Sequence, residues 1–121
     1  MPIAAGEVIS AAEITAALVI VGAKTDFTIS SPTGTGWYRT AGPMVELSGV
    51  TTGTLAAGSS ATVYTLPSGV RPAVAVNLAC GGGVAFDREV SGMLNTDGTI
   101  VIRNNYSSAV AVSFHGLYLL P

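Results

Sequence analysis

Charge is the scarcest property of this sequence. Its 121 residues include five Lys or Arg and seven Asp or Glu, so charged side chains make up 10% of the chain, against roughly 25% in an ordinary soluble domain. The basic residues Lys24, Arg39, Arg71, Arg88 and Arg103 stand singly, and the net charge is -2. A nucleic-acid surface needs a basic cluster that displaces counterions from phosphates, so that class of partner is excluded. Cysteine occurs once, as Cys80, which excludes an internal disulfide and leaves stability to packing and assembly. Histidine also occurs once, as His115, and a zinc site or a catalytic triad needs more partners than that. Long apolar runs are missing as well. The longest, Ala16–Ala23, has eight residues and already contains Gly22, whereas a membrane-spanning helix needs roughly 20. No Lys or Arg precedes Lys24, and Glu7 sits where a secretory signal would be basic, so the start of the chain does not read as a signal peptide.

Apolar residues are abundant, at 49% of the chain. With no span to place in a membrane, that composition predicts a subunit that buries much of its surface against copies of itself. Obligate interfaces resemble a domain core cut in half, and their chains are too apolar for a lone monomer. The length is that of one domain.

Two regions differ in pattern. Near the start, Ser10 and Glu13 fit a capping box, and Ala11, Ile14, Leu18 and Val21 fall on one helical face. A short helix over about Ala11–Leu18 is expected, packed either on its own domain or on a neighbour. From Thr25 onward the pattern is short strands between turns. Strands are expected at Thr25–Ser30, Trp37–Thr40, Met44–Val50, Ala61–Leu66, Ala73–Cys80, Val84–Val90, Thr99–Arg103 and Ala109–Leu120. Ser31-Pro32, Gly34-Thr35-Gly36, Gly42-Pro43, Pro67-Ser68-Gly69 and Asn95-Thr96-Asp97-Gly98 read as turns or loops between them. Thr51–Ser60, rich in Gly, Thr, Ser and Ala, reads as a loop or weak edge strand. About eight short strands at this spacing predict a sandwich or a barrel. In the last strand Val110, Val112, Phe114, Tyr118 and Leu120 share one face. Ala109, Ala111, Ser113, His115 and Leu117 share the other, which is apolar enough to pack near a symmetry axis.

The residues that could carry chemistry have simpler structural explanations. Cys80 lacks a nearby base and is expected to be buried and inert. Gly81-Gly82-Gly83 is followed by the strand-like Val84-Ala85-Phe86, not by a helix N-terminus and a lysine. It is therefore expected to be a turn or close backbone contact, not a phosphate cradle. Asp87 and Glu89 share a strand face but meet no other carboxylate by spacing, so a solvated edge is expected. Trp37-Tyr38 could stack on a sugar, although aromatics in an apolar β domain more often belong to a core or interface. His115 is expected to be an exposed or hydrogen-bonded strand residue.

Five segments, in order, resemble phage tail-fibre and minor tail proteins. Ala5-Gly6-Glu7-Val8-Ile9-Ser10-Ala11-Ala12-Glu13-Ile14 is similar to their opening, although Thr15 stands where they often have Asn. The stretch from Gly36-Trp37-Tyr38-Arg39 through Gly49-Val50 looks like their aromatic-Arg strand pair. Leu66-Pro67-Ser68-Gly69-Val70-Arg71-Pro72, Asp97-Gly98-Thr99-Ile100-Val101-Ile102 and Ser113-Phe114-His115-Gly116-Leu117-Tyr118 complete the likeness.

In that family the C-terminal module is a β-sandwich, often a trimer. The resemblance therefore implies an all-β protein: an antiparallel, jelly-roll-like β-sandwich of about eight strands over residues 23–121. It would be a homotrimer with a short helical or extended N-terminal anchoring and oligomerisation segment over residues 1–22. Ile9, Ile14 and Leu18 are the expected virion-anchoring residues. No stalk separates the opening motif from the terminal module. That suits a non-enzymatic capsid decoration or head-fibre protein on the virion surface, made in the host cytoplasm and bound in many copies to the major capsid protein. The alternative is a minor tail or tail-tip protein, partnered by tail proteins, whose loops around Thr33–Trp37 and Cys80–Val84 bind a host surface glycan. An enzyme such as a depolymerase is disfavoured by the few ionisable groups. No catalytic residue, metal ligand or cofactor is expected.

Overall fold

The computed structural model describes residues 22–82 and 89–121. The expected N-terminal helix, the anchoring residues Ile9, Ile14 and Leu18, and most of the expected strand Val84–Val90 lie outside them. Eight strands follow one another along the chain: β1 (Thr25–Ser30), β2 (Thr33–Ala41), β3 (Met44–Thr51), β4 (Ser60–Thr65), β5 (Val76–Gly82), β6 (Val90–Leu94), β7 (Thr99–Asn104) and β8 (Val112–Leu119). A 3-10 turn, Ser68–Val70, lies between β4 and β5.

All pairings are antiparallel, and the strands form one sheet in the order β1-β2-β3-β8-β5-β6-β7-β4. The last four, read from the far edge as β4-β7-β6-β5, form a Greek key traced in reverse chain direction. The sheet coils on itself until its two edge strands meet. Phe27 of β1 stacks on Tyr64 of β4 with ring centroids 4.1 Å apart and planes 8° from parallel. The result is a nearly closed barrel, which corrects the jelly-roll-like sandwich expected for residues 23–121. The reason lies in β5. Its first half, Val76–Leu78, pairs with β6, and its second half, Ala79–Gly82, pairs with β8. One strand thus joins what would otherwise be two facing sheets, and side-chain alternation along single strands cannot reveal such a change of partner.

Inward positions follow the period of two that a pleated strand imposes. β8 alternates without a break, with Val112, Phe114, Gly116 and Tyr118 buried and Ser113, His115, Leu117 and Leu119 exposed. On β3, Val45, Leu47, Gly49 and Thr51 point inward. In β4 the alternation slips. A bulge between Thr62 and Tyr64 leaves Val63 as the extra residue, so Val63 and Leu66 are both buried although three positions apart.

The expected Gly34-Thr35-Gly36 loop is part of β2, and its glycines are inward positions of the barrel. Across the sheet, Phe27 pairs with Gly36, Gly36 with Gly49, and Gly49 with Phe114. Each phenylalanine ring lies over the neighbouring glycine. A Cβ on Gly36 would sit 2.3 Å from the Phe27 ring, and one on Gly49 would sit 2.2 Å from the Phe114 ring. Two large and two small residues in one row fill a curved interior that four medium ones could not, which is how a small barrel packs its taper.

One end of the barrel is closed by the 52–59 loop, where Leu55 is buried and exchanges main-chain hydrogen bonds with Val110. The two buried polar residues among those described secure this end. Asn104 Nδ2 donates to Leu55 O (2.9 Å) and Ser108 O (2.8 Å), its Oδ1 accepts from Tyr106 N (2.8 Å), and Thr51 Oγ1 accepts from Val112 N (2.8 Å). Such groups are affordable in a core only when their hydrogen bonds are made.

Candidate interaction face on β2, β3 and β8

Outward side chains of β2, β3 and β8 line up in rows across the sheet. From one end to the other these rows are Ala41–Met44–Leu119, Arg39–Glu46–Leu117, Trp37–Ser48–His115 and Thr35–Val50–Ser113. Four large apolar side chains on this face stand free of the core: Met44 at 37% exposure, Val50 at 47%, Leu117 at 53% and Leu119 at 63%. Met44, Leu117 and Leu119 stand in adjacent rows, with Val50 beyond the Trp37–Ser48–His115 row; scattered single apolar residues are ordinary on a surface, whereas a contiguous group marks an interaction site. The face is not featureless. Arg39, Ala41, Met44, Glu46 and Leu117 surround a depression of about 260 Å³.

The polar groups of this face hold one another. Arg39 and Glu46 are cross-strand partners, with Arg39 Nε donating to Glu46 Oε1 at 3.0 Å and Nη2 2.9 Å from the same oxygen. His115 Nε2 lies 3.8 Å from Glu46 Oε2, an ion pair whenever the imidazole is protonated. His115 is thus an exposed residue of β8 facing Glu46. Being partly exposed, such pairs contribute less to stability than to fixing the geometry of the surface.

Trp37 also points outward, with Lys24 Nζ 4.2 Å and the Arg39 guanidinium 5.3 Å from its ring centroid. Both cations use the ring's negative face. A sugar stacking on the ring face that they occupy would have to displace them. Beside the ring, Asp26, Thr28, Thr35 and Trp37 line an open depression of about 400 Å³ on β1 and β2. Tyr38 points the other way and packs against the core.

The remaining candidates take structural places. Cys80 is half-buried on β5, its thiol donates to Leu78 O at 3.6 Å, and burial pushes its pKa up to about 11. A thiol that stays protonated is a poor nucleophile. Gly81 and Gly82 belong to β5 and pair with Ser113 and Val112, so of the expected turn or close backbone contact the turn is not formed there, while Gly83 lies outside the described residues. The segments expected as recognition loops, Thr33–Trp37 and Cys80–Val84, are therefore strand wherever they are described. Glycine and threonine were the misleading signal. In Thr33–Trp37 the glycines serve close packing inside the barrel, where loop composition and inward-glycine composition look alike. Glu89 is exposed, and Asp87 lies outside the described residues. Among the described residues, no three His, Cys, Asp or Glu side chains gather as a metal site would require.

At the end of the barrel away from Leu55, three segments far apart in sequence meet. Leu66 N donates to Gly98 O (2.8 Å), and Arg71 Nε donates to Leu66 O (2.9 Å). The Tyr118 hydroxyl donates to Val70 O. The turn itself is tied by Asp97 Oδ1, which accepts from Thr99 N (3.0 Å) and Thr99 Oγ1 (2.7 Å). These bonds hold the Asp97 carboxyl below its ordinary pKa. Gly98 has φ +88°, and a Cβ there would meet Leu66 O at 2.6 Å, so both backbone and space demand glycine. Leu66–Pro72, the Asp97-Gly98-Thr99 turn and the end of β8 thus form one clasp. Sequence spacing gave no sign of it, because the bonds run mostly to main-chain carbonyls.

No protein-family model and no curated protein matches this chain.

Proposed function

We propose that this chain is a non-enzymatic structural protein of a tailed-phage virion surface. It acts as a capsid decoration or head-fibre protein bound to the shell in many copies, as a homotrimer. The observation that carries the proposal is the clasp. Three of the five segments that resemble phage tail and fibre proteins, spread from Leu66 to Tyr118, join in space through Leu66, Arg71, Gly98 and Tyr118. The scarcity of charge and the exposed Met44, Val50, Leu117 and Leu119 support the homo-oligomer part of the reading. On a repeating shell, many individually weak contacts add up through multivalency. Residues 1–22, with Ile9, Ile14 and Leu18, serve as the segment that joins copies to the particle and to one another.

The alternative, a minor tail or tail-tip protein that binds a host glycan, would use the depression beside Trp37 on β1 and β2. Counting copies on purified particles separates the two. Hundreds of copies support decoration, and a handful supports the tail. Full-length protein added to particles that lack it should bind, and protein without residues 1–22 should not. Equal binding by the truncated protein would remove the anchoring role.

A further inference from the structure

We propose that the outer face of β2, β3 and β8 receives the N-terminal segment of a neighbouring copy, so that the oligomer is knitted by exchange of residues 1–21. This deepens the homo-oligomer reading above and rests on it.

The argument begins where the described chain begins. Gly22 N donates to Thr40 O at 2.6 Å, which continues the line of β1 alongside the end of β2. Traced toward the N-terminus, β1 runs past the Ala41–Met44 turn and off the end of the barrel. The described chain therefore starts at the end of the barrel where Ala41, Met44 and Leu119 form the last row of the face. No glycine or proline, the strongest chain-reversing residues, lies between Gly6 and Gly22. A segment that continued the line of β1 would pass beyond its own face and toward another subunit.

The chemistry of the two surfaces matches. The segment offers Ala11, Ile14, Leu18 and Val21 at helical spacing. The face offers Met44 and Leu117 at the 260 Å³ depression, with Leu119 exposed opposite Met44 on β8. One Leu or Ile side chain fits there, against the methylenes of Arg39, while the Arg39–Glu46 ion pair stays at the rim. From Ile14 to Gly22 is about 12 Å if helical and about 26 Å if extended, which is enough to lay the segment across a face whose strands β2 to β8 span about 10 Å at the usual spacing.

The full-length chain tests this in two ways. Leu117→Arg changes a side chain more than half exposed on the barrel, so the fold should be kept. Light scattering should show the mass falling from three times 12.1 kDa to one. In parallel, a Leu18→Cys chain is mixed with a Leu117→Cys chain, both also carrying Cys80→Ser, and treated with a short bismaleimide. A linked pair of unlike chains is expected, with little product when Thr62→Cys, exposed on β4, replaces Leu117→Cys. An oligomer that survives Leu117→Arg, or linkage of Leu18→Cys to Leu117→Cys only when both are in one chain, overturns the exchange and leaves the homo-oligomer standing. A parent protein that is monomeric at high concentration overturns the homo-oligomer itself.

Discussion

Gly49→Ala is the sharpest probe of the barrel interior. Gly49 is buried on β3 between hydrogen-bonded neighbours, with Gly36 opposite it on β2 and Phe114 opposite it on β8. A Cβ built on Gly49 would lie 2.2, 2.7 and 2.8 Å from three carbons of the Phe114 ring. That ring is itself buried at 2% exposure, so it has little room to swing aside, and both flanking strands hold the backbone in place. Overpacking of a well-filled core costs about 1–3 kcal/mol. Against this, alanine restricts the unfolded chain, a gain of about 0.5–1 kcal/mol, available here because Gly49 has no positive φ. The net expectation is a loss of about 1–2 kcal/mol, read as a lower urea midpoint at unchanged slope. In a domain of this size each kcal/mol also lowers Tm by about 4–8 °C. A second variant tests the cause. In a Phe114→Leu background the ring is gone, so Gly49→Ala should cost at least about 0.5 kcal/mol less than in the parent, a coupling expected only for residues in contact. A Gly49→Ala protein as stable as the parent, or a cost that does not change when Phe114 becomes Leu, would refute the packing of the two rings over the two glycines.

Two further substitutions examine the ends of the barrel. Asn104→Ala removes two donated hydrogen bonds and one accepted bond and leaves Leu55 O without its side-chain partner. It should cost about 3 kcal/mol in chemical denaturation, and a loss below about 1 kcal/mol would mean that the loop is held by its apolar contacts alone. Tyr118→Phe deletes the hydroxyl that donates to Val70 O and should cost about 1 kcal/mol. It should also alter the response to base. Burial, and then the nearby Tyr38, push the Tyr118 pKa from 10.0 up to about 12, so the folded state holds this proton more tightly than the unfolded chain does. Its contribution is complete below pH 10 and is lost as pH rises toward 12. Urea midpoints of Tyr118→Phe should therefore fall less steeply than the parent's across that window, and parallel curves would count against the assignment.

The sequence by itself determined the class of structure. Alternation in Thr25–Ser30, Met44–Val50 and Thr99–Arg103 placed strands that the molecule has, and Asn95-Thr96-Asp97-Gly98 forms the expected turn, because a period of two and a glycine requirement are local properties. The face of β8 that carries Val112, Phe114 and Tyr118 was legible for the same reason, as was the opposite face that leaves Leu117 exposed.

Tertiary structure decided what local pattern could not. Whether eight strands close into a barrel depends on β5 exchanging partners after Leu78 and on Phe27 meeting Tyr64, contacts between residues with no sequence relation. The same holds for the glycines of β2. Gly34 and Gly36 look like loop residues until Phe27 is placed over Gly36, since only a neighbouring strand can give a missing side chain its purpose. The candidate face has the same origin. Arg39, Met44 and Leu117 come from three strands, and they surround one depression because register, a property of pairing and not of any single segment, sets them side by side.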